Sequence, residues 1–358
     1  MVVTKPPKTS LRLAACGHYE RSRVNSLEGR TILLTGGTGS FGQHFVRAAL
    51  ARWSPAAIRI FIRDELKQFE MAQSLNDDRL RFLLGDVRVL PRLRRAVAGA
   101  DVVIHAAALK QVPACEYNPF EAVQTNIIGT QNVAEACIDA GVSRAISLST
   151  DKAVSPLNLY GATKLCAEKL FIQANVYSGR KSTRLSCVRY GNVVGSRGSV
   201  VPLFRAQAAT GELTVTDRRM TRFWISLDQA VDFVATCLER MHGGEVFVPK
   251  IPSMRVVDLA AALAPGLPIR LTGIRPGEKL HEALLTPEEA RRTLDAGYAY
   301  IVQPEHPFWD VTAIPDAVPV PENFVYTSER NDLWLDVSSL REMVQPAPLL
   351  GAVSAEAI

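Results

Sequence analysis

The sequence predicts an α/β protein: a doubly wound parallel sheet with a smaller C-terminal lobe. Three observations carry that expectation. From Thr31 onward, short apolar runs alternate with helix-length amphipathic stretches. The first of those runs ends in a cluster of glycines, and the alternation fades after about Tyr190. Strands alternating with helices of this length specify a parallel sheet covered on both faces.

Taken in order, the apolar runs are Thr31-Ile32-Leu33-Leu34, 58–62, Leu80–Leu84, 102–104, 144–148 and 185–188. Between them the clearest helix-like segments are 119–140 and 160–177. The core is thus expected over 29–193 and completed by about 225–250. The segments 194–224 and 251–345, richer in proline and loop residues, are left for the lobe. Residues 1–28 read as a basic, poorly ordered tail, and 346–358 as a second tail.

The bulk numbers remove several function classes. The chain has 358 residues, 47% hydrophobic and 22% charged, enough for one large domain or two intimate ones. No stretch approaches the ~20 apolar residues needed to span a bilayer, and the first residues hold no long apolar run of the kind a secretory signal requires. Of the net charge of +5, residues 1–30 supply +4 (six Lys or Arg against Glu20 and Glu28), leaving +1 for the other 328. Such a near-neutral body does not present the basic face that nucleic-acid binding demands. The six cysteines are scattered without metal-ligand spacing, so no metal is expected, and reduced thiols fit a cytoplasmic protein.

The glycine cluster is Thr35-Gly36-Gly37-Thr38-Gly39-Ser40-Phe41-Gly42. Its place after the first strand makes it a Rossmann-type dinucleotide loop, in the GxxGxxG variant used by short-chain dehydrogenases. Gly36 permits the tight turn, Gly39 lets backbone approach a pyrophosphate, and Gly42 lets helix pack on strand. Thr38, Ser40 and Phe41 complete the cradle at a helix N-terminus. After the second strand come Arg63, Asp64 and Lys67. An acidic residue here suits the ribose of NAD and an arginine the extra phosphate of NADP; Arg63 with Lys67 one turn on favours NADP. Asp86-Val87 is placed to meet the adenine, and Ala106-Ala107-Ala108 are small where backbone must approach the cofactor.

The fifth run leads into Ser149-Thr150-Asp151-Lys152, and the next helix begins Tyr160-Gly161-Ala162-Thr163-Lys164. Tyr160 and Lys164 are i, i+4 and share a helix face. A neighbouring ammonium is expected to lower the phenol pKa and make Tyr160 a base toward a hydroxyl. Thr150 or Ser149 would be the hydroxyl donor. Asp151 and Lys152, at a strand's carboxyl end, point to chemistry beyond hydride transfer. As residues alone they fit a local ion pair equally well.

Seven motifs carry a resemblance: TGGTGSFG (35–42), RDELKQ (63–68), HAAALKQVPACEYNP (105–119), STDKAVSPLNLYGATK (149–164), RYGNVVGSRGSVVPLF (189–204), MTRFWI (220–225) and GIRPGEKLHE (273–282). In this order, from about Leu27 to Val344, the chain resembles the inverting UDP-N-acetylglucosamine 4,6-dehydratases of the extended short-chain dehydrogenase family. Those enzymes open pseudaminic acid and related amino-sugar pathways. The membrane-anchored retaining relatives have methionine where Tyr160 stands. Departures from the family pattern are small: Val89 where an aspartate is usual, Ile62 where a serine often sits, and the basic tail.

The resemblance implies a hydro-lyase with NADP as cofactor. Tyr160, supported by Lys164, would deprotonate the 4-hydroxyl, Lys152 would take the carbon 5 proton, and protonated Asp151 would release the 6-hydroxyl as water. Adjacent Asp151 and Lys152 stabilise each other's charged forms, whereas this scheme needs both neutral. The resemblance also assigns Lys110, Asn192, Arg275 and Glu278 to the sugar nucleotide, with Lys110 reaching the cofactor as well. Thr221 and Arg222 are expected in the same cleft, whereas His105, ending a core strand, and His281, on a helix face, are expected to be structural. A homo-oligomer is expected. The rival activities are a UDP-sugar 4-epimerase and a 5,6-dehydratase of the same fold, then a non-catalytic NADP-sensing protein.

Overall fold

The computed structural model describes residues 25–179, 183–196, 198–305 and 313–345. The tail expected at 1–28 therefore lies almost wholly outside the described residues, and the one at 346–358 wholly so. The six expected runs form strands β1 (Thr31–Thr35), β2 (Ala57–Ile62), β3 (Leu80–Leu84), β4 (Val102–His105), β5 (Arg144–Thr150) and β6 (Arg184–Tyr190). They pair in parallel in the order β3-β2-β1-β4-β5-β6. Because β1 pairs with both β2 and β4, the chain direction reverses beside it. A ligand crevice opens at such a switch point, outside the carboxyl ends of the strands.

The strands hold because Ile, Val, Leu and Phe are covered on both faces: Ile32, Leu33, Leu34, Val103, Ile104, Ile146 and Val188 are fully buried. Helix α1 (Ser40–Arg52) packs through Phe45, Val46 and Ala49. Helix α2 (Glu65–Leu75) is capped by Asp64, whose side chain accepts from the Lys67 amide, and ends at Asn76 in the left-handed region. Helix α3 (Leu90–Val97) starts with a proline in its first turn, where the missing N–H costs nothing. Beyond β4 come two short helices, α4 (Val112–Tyr117) and α5 (Pro119–Val123). The expected helix over 119–140 is α5, a π-turn at Gln124–Ile128 and α6 (Gly129–Ala140) in succession. Helix α7 (Leu159–Gln173) is capped by Asn158.

A seventh parallel strand, Val246–Pro249, follows the helix Leu227–Arg240 and pairs with β6. Strands Ala299–Val302, Thr293–Asp295 and Val318–Pro319 then extend the sheet antiparallel to ten strands. The sequence reading puts 251–345 in the lobe; these short strands join the large sheet instead, where Ala299, Ile301 and Val302 of the first of them belong to its core. A separate core, with Val201, Phe204, Leu213, Met220, Trp224, Leu259 and Leu340 at its centre, organises the smaller lobe.

Candidate active site

A single cleft of about 1130 Å³ runs from the glycine loop past the end of β5 to the lobe. Its floor at one end is glycine for a steric reason. Gly36 has φ +69°, and a Cβ there would stand 2.8 Å from the Ala107 amide nitrogen. One at Gly42 would stand 2.4 Å from the Gly37 carbonyl oxygen. The first turn of α1 can therefore lie against β1 and β4, leaving a groove with no side chain in it. Of the residues assigned from sequence to the cofactor, all but Asp64 line the cleft. Asp64 instead caps α2 and pairs with the Lys67 ammonium. Arg63 is 58% exposed, with the Asp86 carboxylate 3.7 Å away, so its guanidinium is available to a phosphate. This cradle fits a dinucleotide.

The catalytic turn follows β5. Thr150 Oγ1 donates to Asp151 Oδ1 at 2.9 Å and accepts from the Lys152 amide. Lys152 Nζ donates to Asp151 Oδ1 at 3.0 Å. A Cβ on Gly161 would stand 2.2 Å from the Lys152 carbonyl oxygen, so α7 sits directly on this turn and brings Tyr160 to it. Lys164, one helical turn on, donates through Nζ to the Leu148 carbonyl at 2.6 Å. In the π-turn, Asn126 grips the Leu109 backbone with both ends of its amide and donates to Thr163 Oγ1. That grip places Lys110 in the cleft.

The electrostatics correct one expectation. Burial pushes the Tyr160 phenol up to about 12, against an ordinary value of 10.0, and the cation that opposes this is Lys152. The lowering expected from Lys164 is not seen: burial pulls its own pKa down, and its ammonium is turned to the Leu148 carbonyl. Asp151 is fully buried, and burial raises its pKa despite the ammonium of Lys152. Burial alone would lower Lys152, but Asp151 and then Glu282 outweigh it and the amine is held charged. Burial also lowers Lys110.

Lys110, Asn192, Arg222, Arg275 and Glu278 all line the cleft, but Thr221 does not. Its hydroxyl is taken by His281 Nδ1 at 2.8 Å and by Ser328 Oγ, which makes it a strut behind Arg222. His281 lies in a bend before the strand Ala283–Leu285 rather than on a helix. His105 is buried between the Thr35 and Thr130 hydroxyls, and burial drops it to about 3, so it is a neutral strut. Sequence reasoning missed Glu282. Its Oε1 lies 3.5 Å from Lys152 Nζ and 3.8 Å from Arg222 Nε, with Lys279 close behind. The motif GEKLHE contains it, but nothing in the local pattern separates it from Glu278. Among the described residues no helix is long and apolar enough to cross a membrane.

Fold and site together define the class: a Rossmann-fold protein of the extended short-chain dehydrogenase type. The model of a family described as polysaccharide biosynthesis protein matches residues 32–304. The chain is 50% identical over 324 residues, 88% of its length and 97% of the relative's, to the UDP-N-acetylglucosamine 4,6-dehydratase (inverting) of Campylobacter jejuni. A UDP-glucose 4-epimerase of Rickettsia conorii is 45% identical over 278 residues, 74% of this chain and 80% of that one. The solved structure of Pen from Bacillus thuringiensis superposes with a TM-score of 0.82 at 36% identity, covering 89% of this chain and 98% of that one. The chain belongs to the family of inverting UDP-N-acetylglucosamine 4,6-dehydratases, within the polysaccharide biosynthesis proteins.

Proposed function

We propose that the protein is an NADP-dependent hydro-lyase acting on UDP-N-acetylglucosamine, removing water across carbons 4 to 6 and inverting carbon 5. The product is UDP-2-acetamido-2,6-dideoxy-β-L-arabino-hex-4-ulose. The observation that carries the reading is the Asp151–Lys152 pair at the carboxyl end of β5: Lys152 lines the cleft beside Tyr160, and the fully buried Asp151 is held against its amine from behind. The Campylobacter relative bears the same activity in its name.

NADP, when bound, supplies a hydride acceptor for carbon 4 and a donor for carbon 6. Gly36, Gly39 and Gly42 would hold its phosphates, and Arg63 and Lys67 would take the 2′-phosphate. Tyr160 takes the proton of the 4-hydroxyl. The ketone formed acidifies carbon 5; Lys152 removes that proton, Asp151 gives one to the departing 6-hydroxyl, and carbon 5 takes a proton back on its opposite face, which inverts it. Arg275 suits the diphosphate and Glu278 the ribose.

The charge states do not obstruct this. Charged Lys152 with ionised Asp151 and neutral Lys152 with protonated Asp151 hold the same single proton, separated by the 3.0 Å hydrogen bond. Moving it across that bond turns the resting ion pair into the amine and acid the reaction needs, with no exchange with solvent. Substrate that expels water favours the neutral arrangement, since low dielectric disfavours separated charge.

The Rickettsia relative favours a second reading, 4-epimerisation, which would leave Asp151 and Lys152 without a task. Incubation with UDP-N-acetylglucosamine in D₂O, followed by NMR, decides between them. The expected product is the 4-keto-6-deoxy sugar of L-arabino configuration with deuterium at carbon 5, and Lys152→Ala should fail to form it. A 4-epimer with its 6-hydroxyl intact, a D-xylo product or an exocyclic alkene would each overturn the proposal.

A further inference from the structure

Lys152 is held between two carboxylates, and only one of them belongs to its own turn. Glu282 comes from the far side of the cleft, from the segment that enters strand Ala283–Leu285, and is 3% exposed. Its Oε1 is 3.5 Å from Lys152 Nζ and its Oε2, 3.8 Å from Lys279 Nζ, has no hydrogen-bond partner. Asp151 Oδ2 is likewise buried without one. A buried carboxylate oxygen with no hydrogen bond calls for a reason beyond stability, because a neutral residue would avoid the cost of desolvating it.

Resting on the dehydratase reading, we propose that Glu282 is a positioning residue for Lys152. Its carboxylate anchors the amine over the cleft and sets the pH window in which the Asp151–Lys152 pair carries the one proton that elimination requires.

The groups that face Lys152 are Asp151 on its own turn, Tyr160 on α7, Arg222 on the strand Thr221–Ile225, and Lys279 and Glu282 on the segment before Ala283. Glu278 faces Arg222 from the same segment. Burial works to raise the Glu282 carboxyl, but Lys152, Arg222 and Lys279 together outweigh it and hold it low. Glu282 is thus an anion in the resting protein. An anion beside the pair raises both of its proton-binding steps: the one that adds a second proton and the one that removes the last. Elimination runs between those two steps, so the negative charge of Glu282 moves the whole window to higher pH.

The sign follows. Glu282→Gln keeps the shape, removes the charge and should move both limbs of the kcat–pH profile to lower pH, by roughly one to three units. Glu282→Asp retains the charge and should leave the limbs near those of the natural protein. A profile for Glu282→Gln that superimposes on the natural one after scaling would overturn the proposal and leave Glu282 a structural residue. Should the Gln variant not fold, NMR titration of the lysine ε-carbons tests the same point. The Lys152 signal, identified by its loss in Lys152→Met, should titrate at lower pH in Glu282→Ala than in the unaltered protein; an unmoved signal overturns the proposal. The unaltered protein is assayed for product alongside. If it forms no dehydrated sugar, the dehydratase reading fails, a result distinct from an unmoved profile.

Discussion

At the scale of single residues, Tyr160 carries the heaviest demand. With its phenol pushed up to about 12 by burial, it is no base in the resting protein, and binding has to make it one. The positive ring of the bound cofactor would act in that direction, and so does the ammonium of Lys152 until its proton passes to Asp151. Tyr160→Phe keeps the buried ring and loses only the hydroxyl. Turnover should fall by ~10²–10⁴, the usual contribution of a general base, with cofactor affinity unchanged; near-normal turnover would take the tyrosine out of the chemistry. Arg63 makes a separate claim. Its guanidinium is mostly solvent-exposed and makes a loose 3.7 Å ion pair with Asp86, which a phosphate can displace at little cost. Losing a charge-assisted bond costs roughly 1.5–3 kcal/mol. Arg63→Ala should therefore weaken NADP binding by about ten- to a hundredfold and NAD binding hardly at all, as isothermal titration would show. Equal losses would remove Arg63 from that role.

At the scale of elements, what was legible in the sequence is what repeats. The six parallel strands announce themselves because each is covered on both faces and reads as a continuous apolar run. Glycines 36 and 42 are legible because close backbone approach excludes every other residue there. The π-turn at Gln124–Ile128 left no trace in composition, since a π-turn uses the residues of the α-helix around it. Yet it is this turn that aims Asn126 at the Leu109 backbone and so shapes the wall that carries Lys110. The strands between Thr293 and Pro319 were illegible for another reason. Each has two to four residues, too few for a period to show. Glu282 combines both difficulties: it sits in a short irregular segment and acquires its partners from the turn after β5 and from the strand Thr221–Ile225. Thr221, expected in the cleft, is turned away from it because its hydroxyl is claimed by His281, a pairing 60 residues apart that no local pattern encodes.

At the scale of the whole molecule, the cleft exists only if the sheet, the catalytic helix and the C-terminal segment keep their places, and one buried cation joins all three. Arg189 on β6 is 1% exposed and pairs with Glu168 of α7 and with Glu289 of the helix Pro287–Ala290. It also donates to the Leu284 carbonyl at 2.9 Å, two residues beyond Glu282. Glu289 in turn caps its own short helix through Thr286. Burial works to raise the Glu289 carboxyl, but Arg189 outweighs it and the net shift is downward. A carboxyl lowered by folding contributes stability that is present above its unfolded value near ~4.3 and is lost as pH falls through the folded value. Removing one partner from a buried network strands the others, at a cost of about 3–5 kcal/mol. Arg189→Met should therefore lower the free energy of unfolding by about that much near neutral pH, read from urea unfolding followed by fluorescence. The deficit should shrink as pH falls toward and then below about 4, because protonation first relieves the stranded Glu289 carboxyl of the variant and the unaltered protein then loses the Glu289 contribution. Pairing Arg189→Met with Glu168→Leu and Glu289→Leu removes the stranded charges and should recover a large part of the loss. A single variant as stable as the unaltered protein at neutral pH would mean that the three elements are held by apolar packing alone, and that the site needs no ionic tie.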